Sequence, residues 1–429
     1  MTDDQDALPP HPLGLRPLGN KYFTSGKDAR ESSGIFQALP DDMIMQLLEF
    51  LDQRSLRILG YTCRFLYAHC IYDDLWKTIF LDQIRLDRFA SKIPASNQID
   101  QMRDLSYAEF AEKWSSKPFI LTECTKAWPV SQSWDISTLL RLYSDVVFRA
   151  EAVDWTFETY CQYLDNNQDE SPLYLFDRKF AEKMNLQIGM GDGTAYWKPE
   201  CFGPDLFEVL GKERPAHRWL IIGPERSGST FHKDPNATSA WNAVIQGAKY
   251  WIMFPPSASV PGVYVSQDNS EVTSPLSIAE WLLEFHAEAR QLPECKEGIC
   301  KAGEILHVPS GWWHLVVNLE AGIALTQNFV PKSHLGDALS FLKDRSDQVS
   351  GFKKEIKDPY GLFVERLEEE YPDLLEKAQT QLAERNAQKK RRWDIAVGNT
   401  TEVEGDQPQK KSTGFSFGFG FGDDEDDIP

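Results

Sequence analysis

His232 and Asp234 stand two residues apart in Ser-Thr-Phe-His-Lys-Asp, and His314 closes the downstream motif Gly-Glu-Ile-Leu-His-Val-Pro-Ser-Gly-Trp-Trp-His that begins at Gly303. In a strand, residues two apart share a face, so one imidazole and one carboxylate can aim into the same cavity. Alone, such a pair is chance-level. The downstream motif changes its meaning. Pro309 and Gly311 mark a tight turn between two strands, Trp312 and Trp313 can pack in the core, and His314 then supplies a third donor from another strand. Two imidazoles and a carboxylate on one face leave half an octahedron vacant, the arrangement that suits iron(II) and dioxygen chemistry. His307, between Leu306 and Val308, competes for the ligand role but reads as a packed histidine. His217, His286 and His334 have no carboxylate at ligand spacing and read as surface or core residues.

The vacant positions imply a bidentate co-substrate. Lys249 lies on the aromatic run Trp-Asn-Ala-Val-Ile-Gln-Gly-Ala-Lys-Tyr-Trp that starts at Trp241. A buried lysine is costly unless it meets an anion, and the distal carboxylate of 2-oxoglutarate is a suitable one. Thr326, in Gly-Ile-Ala-Leu-Thr-Gln-Asn-Phe, sits on a strand beyond His314 and can donate its hydroxyl to that carboxylate. Without the metal ligands, Lys249 would read as a snorkelling hairpin lysine and Thr326 as a plain strand former.

These residues need a scaffold. From 215 to 330, short apolar or alternating runs are separated by Gly, Pro and Asn, the spacing of a barrel or double-sheet jelly roll. Upstream, Lys-Pro-Phe-Ile-Leu-Thr reads as a strand, and Ser106 with Glu109 has the spacing of a capping box opening a helix. Residues 36–84 hold three amphipathic runs. Leu39-Pro-Asp-Asp opens the first, with Ile44, Leu47, Leu48 and Leu51. The second carries Leu56, Leu59, Cys63, Phe65 and Leu66, and the third Leu75, Trp76 and Phe80. Three helices in so short a span make a marginal core, so a partner or neighbouring domain should cover part of it. Residues 336–394 read as helical, interrupted at Pro372. Residues 1–35 and the tail 395–429, with its Phe-Gly repeat and acidic run, read as disordered.

Composition bounds the rest. The chain has 429 residues, 41% hydrophobic and 26% charged, enough for two or three domains with a sizeable core. Its net charge of -20 argues against non-specific nucleic-acid binding and favours a basic protein partner. Seven scattered cysteines suit a reducing compartment. No stretch approaches the roughly 20 apolar residues of a membrane span, and the acidic, proline-rich start is not a targeting peptide. Nucleus or cytoplasm is the expected location.

The segments His-Lys-Asp-Pro-Asn-Ala-Thr-Ser-Ala-Trp-Asn-Ala-Val-Ile-Gln-Gly-Ala-Lys-Tyr-Trp-Ile-Met-Phe-Pro-Pro and Val-Pro-Ser-Gly-Trp-Trp-His-Leu-Val-Val-Asn-Leu closely resemble the JmjC oxygenases, nearest the phosphatidylserine-receptor-like branch of protein hydroxylases and proposed arginine demethylases. The resemblance runs from about 115 to 335. It implies iron(II) on His232, Asp234 and His314, and 2-oxoglutarate held at its distal carboxylate by Lys249 and Thr326. Asn242 matches a polar residue near the metal end of the co-substrate. Ser229 occupies a small hydroxyl position before the ligands, and Tyr174 and Phe176 wall the cavity. The stretch 36–84 resembles an F-box, which implies docking onto the Skp-type adaptor of cullin ubiquitin ligases. Together these imply an α+β chain: an F-box-like three-helix bundle, a double-stranded β-helix (jelly roll or cupin) JmjC domain over 85–335 with an N-terminal extension, and C-terminal helices.

The reaction so implied couples oxidative decarboxylation of 2-oxoglutarate by dioxygen to hydroxylation of a C–H bond, on a side-chain carbon or on an N-methyl group that then leaves as formaldehyde. The expected substrate is a Lys or Arg side chain of a protein. The competing readings are an adaptor whose barrel only recognises a client, a zinc cupin without 2-oxoglutarate, and a tRNA-modifying oxygenase. The overall charge argues against the last, while Lys389-Lys-Arg-Arg would supply it a local basic patch or serve as a nuclear import signal.

Overall fold

The computed structural model describes residues 29–83, 90–167, 169–266 and 271–398. The chain divides into two compact units, Met1–Arg88 and Phe89–Pro429.

Among the described residues, the first unit holds four helices where the sequence predicts three: α1 (Asp41–Glu49), α2 (Gln53–Gly60), α3 (Arg64–Cys70) and α4 (Asp73–Gln83). Pro40 precedes α1, and Asp41 and Asp42 fill its first turn, where acidic groups favour the positive end of the helix. The middle apolar run is split because Cys63 is fully extended and its sulfur caps α3 by accepting from the Leu66 amide. Asp52 caps α2 from its own side chain, accepting from Ser55 at 2.8 Å. Ile44, Leu48, Leu56, Phe65, Leu66, Cys70 and Leu75 form the core. The end of the expected disordered lead is ordered instead. Short 3-10 turns cover Ala29–Ser32 and Gly34–Ala38, and Arg30 ties them to α1 by a bond to Asp41 at 2.9 Å and to α3 by lying over the Phe65 ring. The rest of that lead, and the Phe-Gly and acidic tail, lie outside the described residues.

The second unit is built on two sheets. Its strands are β1 (Asp100–Met102), β2 (Phe119–Leu121), β3 (Val147–Ala150), β4 (Val153–Thr156), β5 (Leu175–Asp177), β6 (Arg218–Gly223), β7 (Gly228–His232), β8 (Ser239–Gln246), β9 (Ala248–Phe254), β10 (Tyr264–Val265), β11 (Val272–Thr273), β12 (Lys296–Lys301), β13 (Ile305–Val308), β14 (Trp313–Asn318) and β15 (Gly322–Phe329). A nine-stranded sheet runs β1-β2-β13-β8-β15-β6-β5-β3-β4, and a four-stranded sheet runs β12-β9-β14-β7. The chain crosses between the sheets after β6, β7, β8, β12, β13 and β14, which makes the barrel a double-stranded β-helix and the fold α+β.

Strands β8, β9, β13 and β14 are buried almost throughout because each has two covered faces. Inward, Ala240, Val244, Leu306 and Val308 of the large sheet meet Trp251, Met253 and Val316 of the small one. Outward, Trp241, Ala243, Leu220 and Leu325 meet a layer from the preceding segment that includes Phe110, Trp128, Phe157 and Phe202. That layer begins at the capping box anticipated at Ser106 and Glu109, whose side chains each accept from the other's backbone amide. The C-terminal segment forms helices Leu335–Asp344, Pro359–Glu370 and Pro372–Gly398. Pro372 starts the last of these rather than kinking it, since a proline tolerates the first turn of a helix.

His307 belongs to the outer layer. Its ring lies 4.9 Å from that of Phe119 and 5.3 Å from that of Phe110, and its Nδ1 donates to the Lys117 carbonyl at 3.1 Å. Burial pushes this imidazole down to about 3. The folded protein therefore holds it neutral while the unfolded chain takes up a proton below the ordinary value of about 6.5. Its contribution is full above that pH and is lost as the pH falls toward the folded value. Replacing His307 with Phe is expected to reduce the acid slope of unfolding free energy by one proton, about 1.4 kcal/mol per pH unit, as read from urea titrations between neutral and mildly acidic pH.

Candidate metal and co-substrate site

His232 is the last residue of β7 and pairs directly with His314 on β14, which brings the two ring centroids to 4.1 Å. Asp234 is not on the strand, contrary to the expectation from spacing. Pro235 ends the ladder because it has no amide to donate, and Asp234 sits at the N-cap of the turn Pro235–Ala237. That turn is strained: Asn236 and Ala237 hold φ of 55° and 51°, a region that side chains with a Cβ seldom enter. It is kept there by bonds between Asn236 and the Ser350 backbone at 2.9 and 3.1 Å, and by Ser310 Oγ donating to the Ala237 carbonyl at 2.7 Å. The result is a carboxylate aimed back at the two histidines. One donor atom from each of His232, Asp234 and His314 lies within 4.8 Å of the others.

The donor set suits a divalent cation. Each histidine Nδ1 faces a backbone carbonyl two residues earlier, Thr230 for His232 at 2.8 Å and Trp312 for His314 at 3.1 Å. A carbonyl only accepts, so Nδ1 carries the proton and Nε2 the lone pair. Burial pushes both imidazoles down to about 4, with the charge of His314 adding to the effect on His232. Both are thus neutral at physiological pH, as metal ligands must be. Burial also pushes the Asp234 carboxyl up, against the opposing pull of His232 and a hydrogen bond from Asn328. Asp234 Oδ2 is buried with no hydrogen-bond partner, a state that a cation would relieve. The turn that delivers His314 has Gly311 at φ 73°, and the Trp312 amide closes it onto the Pro309 carbonyl at 3.2 Å. Both tryptophans are buried, with Lys233 lying over the Trp313 ring at 4.5 Å.

Deeper in the barrel, Lys249 pairs with Asn318 across β9 and β14, and its Nζ donates to Asn318 Oδ1 at 2.7 Å. The lysine is 5% exposed, and burial pushes it down to about 8. Opposite, Thr326 and Asn242 are cross-strand partners on β15 and β8. Asn242 Oδ1 is buried and unpartnered. Thr326 Oγ1 donates to the Trp241 carbonyl at 3.0 Å, so the hydroxyl expected to point at a co-substrate is engaged with backbone and must turn to reach one. Tyr174 and Ser229 share a hydroxyl–hydroxyl bond at 3.0 Å. Phe176 stacks on Trp219, with ring planes 14° apart, and meets the Tyr174 ring edge-on. Lys249, Thr326, Asn242, Ser229 and Phe176 thus lie on strands of the barrel, and Tyr174 immediately precedes β5.

The other histidines described in this unit are structural. His334 bridges Ser116 and Ser239, and His217 is bonded to Arg218. His286 does meet a carboxylate, Glu297, at 3.4 Å, but Arg290 grips Glu297 and Tyr250 donates to it, so that acid is already satisfied. Sequence reasoning missed Asn328, which bonds Asp234, and the pair Asn318 and Ser227 behind Lys249. The only local signal for Asn328 is its position two residues after Thr326, on the same strand face.

A double-stranded β-helix holding two neutral imidazoles and a carboxylate at one place, with a buried lysine beneath them, is a cupin arranged for metal-dependent oxidation. Residues 108–335 match the cupin-like domain family, and residues 36–82 match the F-box-like family. The arginine-specific demethylase JMJ22 of Arabidopsis thaliana is 34% identical over 92% of this chain and 89% of its own length. The bifunctional arginine demethylase and lysyl-hydroxylase psr-1 of Caenorhabditis elegans is 32% identical over 70% of this chain and 74% of its own length. The 2-oxoglutarate and iron-dependent oxygenase JMJD4 of Danio rerio is 33% identical over 42% of each. The chain belongs to the JmjC family of cupin-like, iron(II)- and 2-oxoglutarate-dependent oxygenases, and carries an F-box-like domain ahead of the barrel.

The buried oxygen of Asp234 yields a test that needs no turnover. Asp234→Asn is expected to stabilise the metal-free protein by about 1 kcal/mol, or roughly 2–4 °C in Tm. It should also abolish the upward Tm shift that manganese(II) gives the wild type. Thermal melts with and without the metal check both.

Proposed function

We propose that this chain oxidises a Lys or Arg side chain of a protein, by hydroxylation or N-demethylation, with iron(II) on His232, Asp234 and His314 and 2-oxoglutarate anchored by Lys249. The observation that carries the reading is Lys249. It is a buried ammonium whose hydrogen-bond partner is a neutral amide, on the same barrel lining as the three ligands, and an anionic co-substrate completes it. When bound together, iron(II) would supply the site at which dioxygen is activated and 2-oxoglutarate the two electrons, given up on its decarboxylation to succinate, that ready dioxygen to oxidise a C–H bond. The chain does the rest. Lys249 orients the distal carboxylate, Asn242 offers its buried oxygen nearer the metal, and Tyr174, Phe176 and Trp219 form an aromatic wall that excludes water.

The substrate class draws support from the names of the relatives, an arginine demethylase and a bifunctional arginine demethylase and lysyl-hydroxylase, and from the net charge of -20, which attracts basic segments. One site serves both outcomes. Hydroxylation at an N-methyl carbon gives a carbinolamine that loses formaldehyde, while hydroxylation at a side-chain carbon stays as an alcohol. Free cysteines throughout support work in the nucleus or cytoplasm.

Anaerobic addition of iron(II) and 2-oxoglutarate should give a visible charge-transfer band, and admission of oxygen should release succinate; absence of both sinks the proposal. Lys249→Ala should raise the KM for 2-oxoglutarate at least about tenfold while sparing metal binding. Because the ammonium is the binding form, wild-type affinity for 2-oxoglutarate should decline as the pH rises past about 8, and the alanine variant should lose that dependence.

A second role rests on the first unit. Met43, Leu47, Phe50, Ile58, Tyr61 and Ile71 are exposed there, Phe50 to 86%, and so large an apolar set on so small a unit asks for a partner. We propose a Skp-type adaptor, bound through 36–84, so that client oxidation and ubiquitination meet in one chain. Phe50→Glu should abolish co-purification with the adaptor, and His232→Ala should leave it intact. Adaptor capture that is unaffected by Phe50→Glu counts against this surface.

A further inference from the structure

The turn between β6 and β7 is bolted to Asn318, and Asn318 is bonded to Lys249. The Arg226 amide donates to the Asn318 carbonyl at 2.9 Å, and the Asn318 amide donates to the Ser227 carbonyl at 2.8 Å. The Asn318 side chain donates through Nδ2 to Ser227 Oγ at 2.9 Å, and Ser227 Oγ donates to the Pro224 carbonyl at 2.6 Å. Asn318 and Ser227 are each 1% exposed.

This chain of bonds fixes which way the amide points. The Ser227 proton is committed to a carbonyl, so toward Asn318 its oxygen can only accept. The group facing it must be the NH2, which turns Oδ1 toward Lys249. The orientation thus follows from the donor and acceptor roles of its neighbours. Reversed, the amide would set its NH2 against the lysine ammonium, donor against donor. Gly223 makes room for the arrangement, since a Cβ there would lie 2.3 Å from Ser227 Oγ and 2.8 Å from Asn318 Nδ2.

We infer that Asn318, locked by Ser227, is a positioning residue for 2-oxoglutarate: it holds the Lys249 ammonium by one N–H and aims the remaining two into the barrel for the distal carboxylate. This rests on the reading of Lys249 as the co-substrate anchor. Without the neutral acceptor, the flexible lysine samples other rotamers and its ammonium loses a buried hydrogen bond. An aspartate in the same place would fail for another reason, since its charge would claim the ammonium and repel the co-substrate.

The test is calorimetry on the full chain loaded with manganese(II), titrated with 2-oxoglutarate and with pyruvate, a keto acid lacking the distal carboxylate. Asn318→Ala should weaken 2-oxoglutarate about tenfold and leave pyruvate and manganese(II) unchanged. Ser227→Ala should shift 2-oxoglutarate in the same direction by less, and serves if Asn318→Ala folds poorly. Lys249→Ala combined with Asn318→Ala should bind no worse than Lys249→Ala alone, because the two act as one unit. The inference is overturned if Asn318→Ala binds 2-oxoglutarate like the wild type, if it weakens both keto acids equally, or if its loss adds in full to that of Lys249→Ala. A Lys249→Ala variant that binds normally overturns the anchor reading itself, and this inference with it.

Discussion

Asp234 is a carboxylate with one oxygen out of reach of both water and any N–H group, and much of the barrel answers to that constraint. A strand does not deliver it, because Pro235 has no amide with which to continue the ladder. The chain instead leaves β7 at Pro235 and enters two left-handed residues in succession. Ser310 and Asn328 from distant segments, and Asn236 of the turn through its bonds to the Ser350 backbone, hold the turn or the acid in place. Backbone strain and a half-satisfied charge are both unfavourable; a cation would satisfy the charge and so help offset the strain of the turn that presents it.

The double-stranded β-helix makes this arrangement compact. Because the chain passes from one sheet to the other at nearly every turn, His232 and His314 become neighbours although far apart in sequence. Lys249 and Thr326 come to line opposing walls. Residues of β8 alternate between the cavity and the outer aromatic layer, so Asn242 looks inward while Trp241 and Ala243 pack outward. The same alternation separates His307 from His314: one sits in the outer layer among phenylalanines, the other on the metal-facing wall.

Much of this was legible in the sequence. The metal cluster and Lys249 could be found from residue type, because a His-x-Asp, a Trp-Trp-His turn and a lysine within an aromatic strand are each hard to explain otherwise when they occur together. The barrel was legible from strand spacing, and the capping box at Ser106 from two residues. What escaped depends on contacts across the fold. Spacing put Asp234 on a strand, since periodicity does not register how Pro235 ends the ladder. The second helical run read as one element because the break at Cys63 is a matter of one extended residue and a sulfur cap. The engagement of Thr326 with a carbonyl, and the roles of Asn318 and Asn328, turn on partners that no local pattern identifies.

The two imidazoles and the carboxylate are governed by different parts of the molecule. Each histidine takes its tautomer from a main-chain carbonyl two residues earlier on its own segment, an acceptor that does not depend on the identity of any side chain. The acid takes its environment from its burial and from the side chains of His232 and Asn328. Two of the ligands are thus insulated from sequence drift in the surrounding barrel and the third is exposed to it. Divergence among such proteins can therefore retune how strongly the metal is held, through the neighbours of one acid, without disturbing the geometry of the other two.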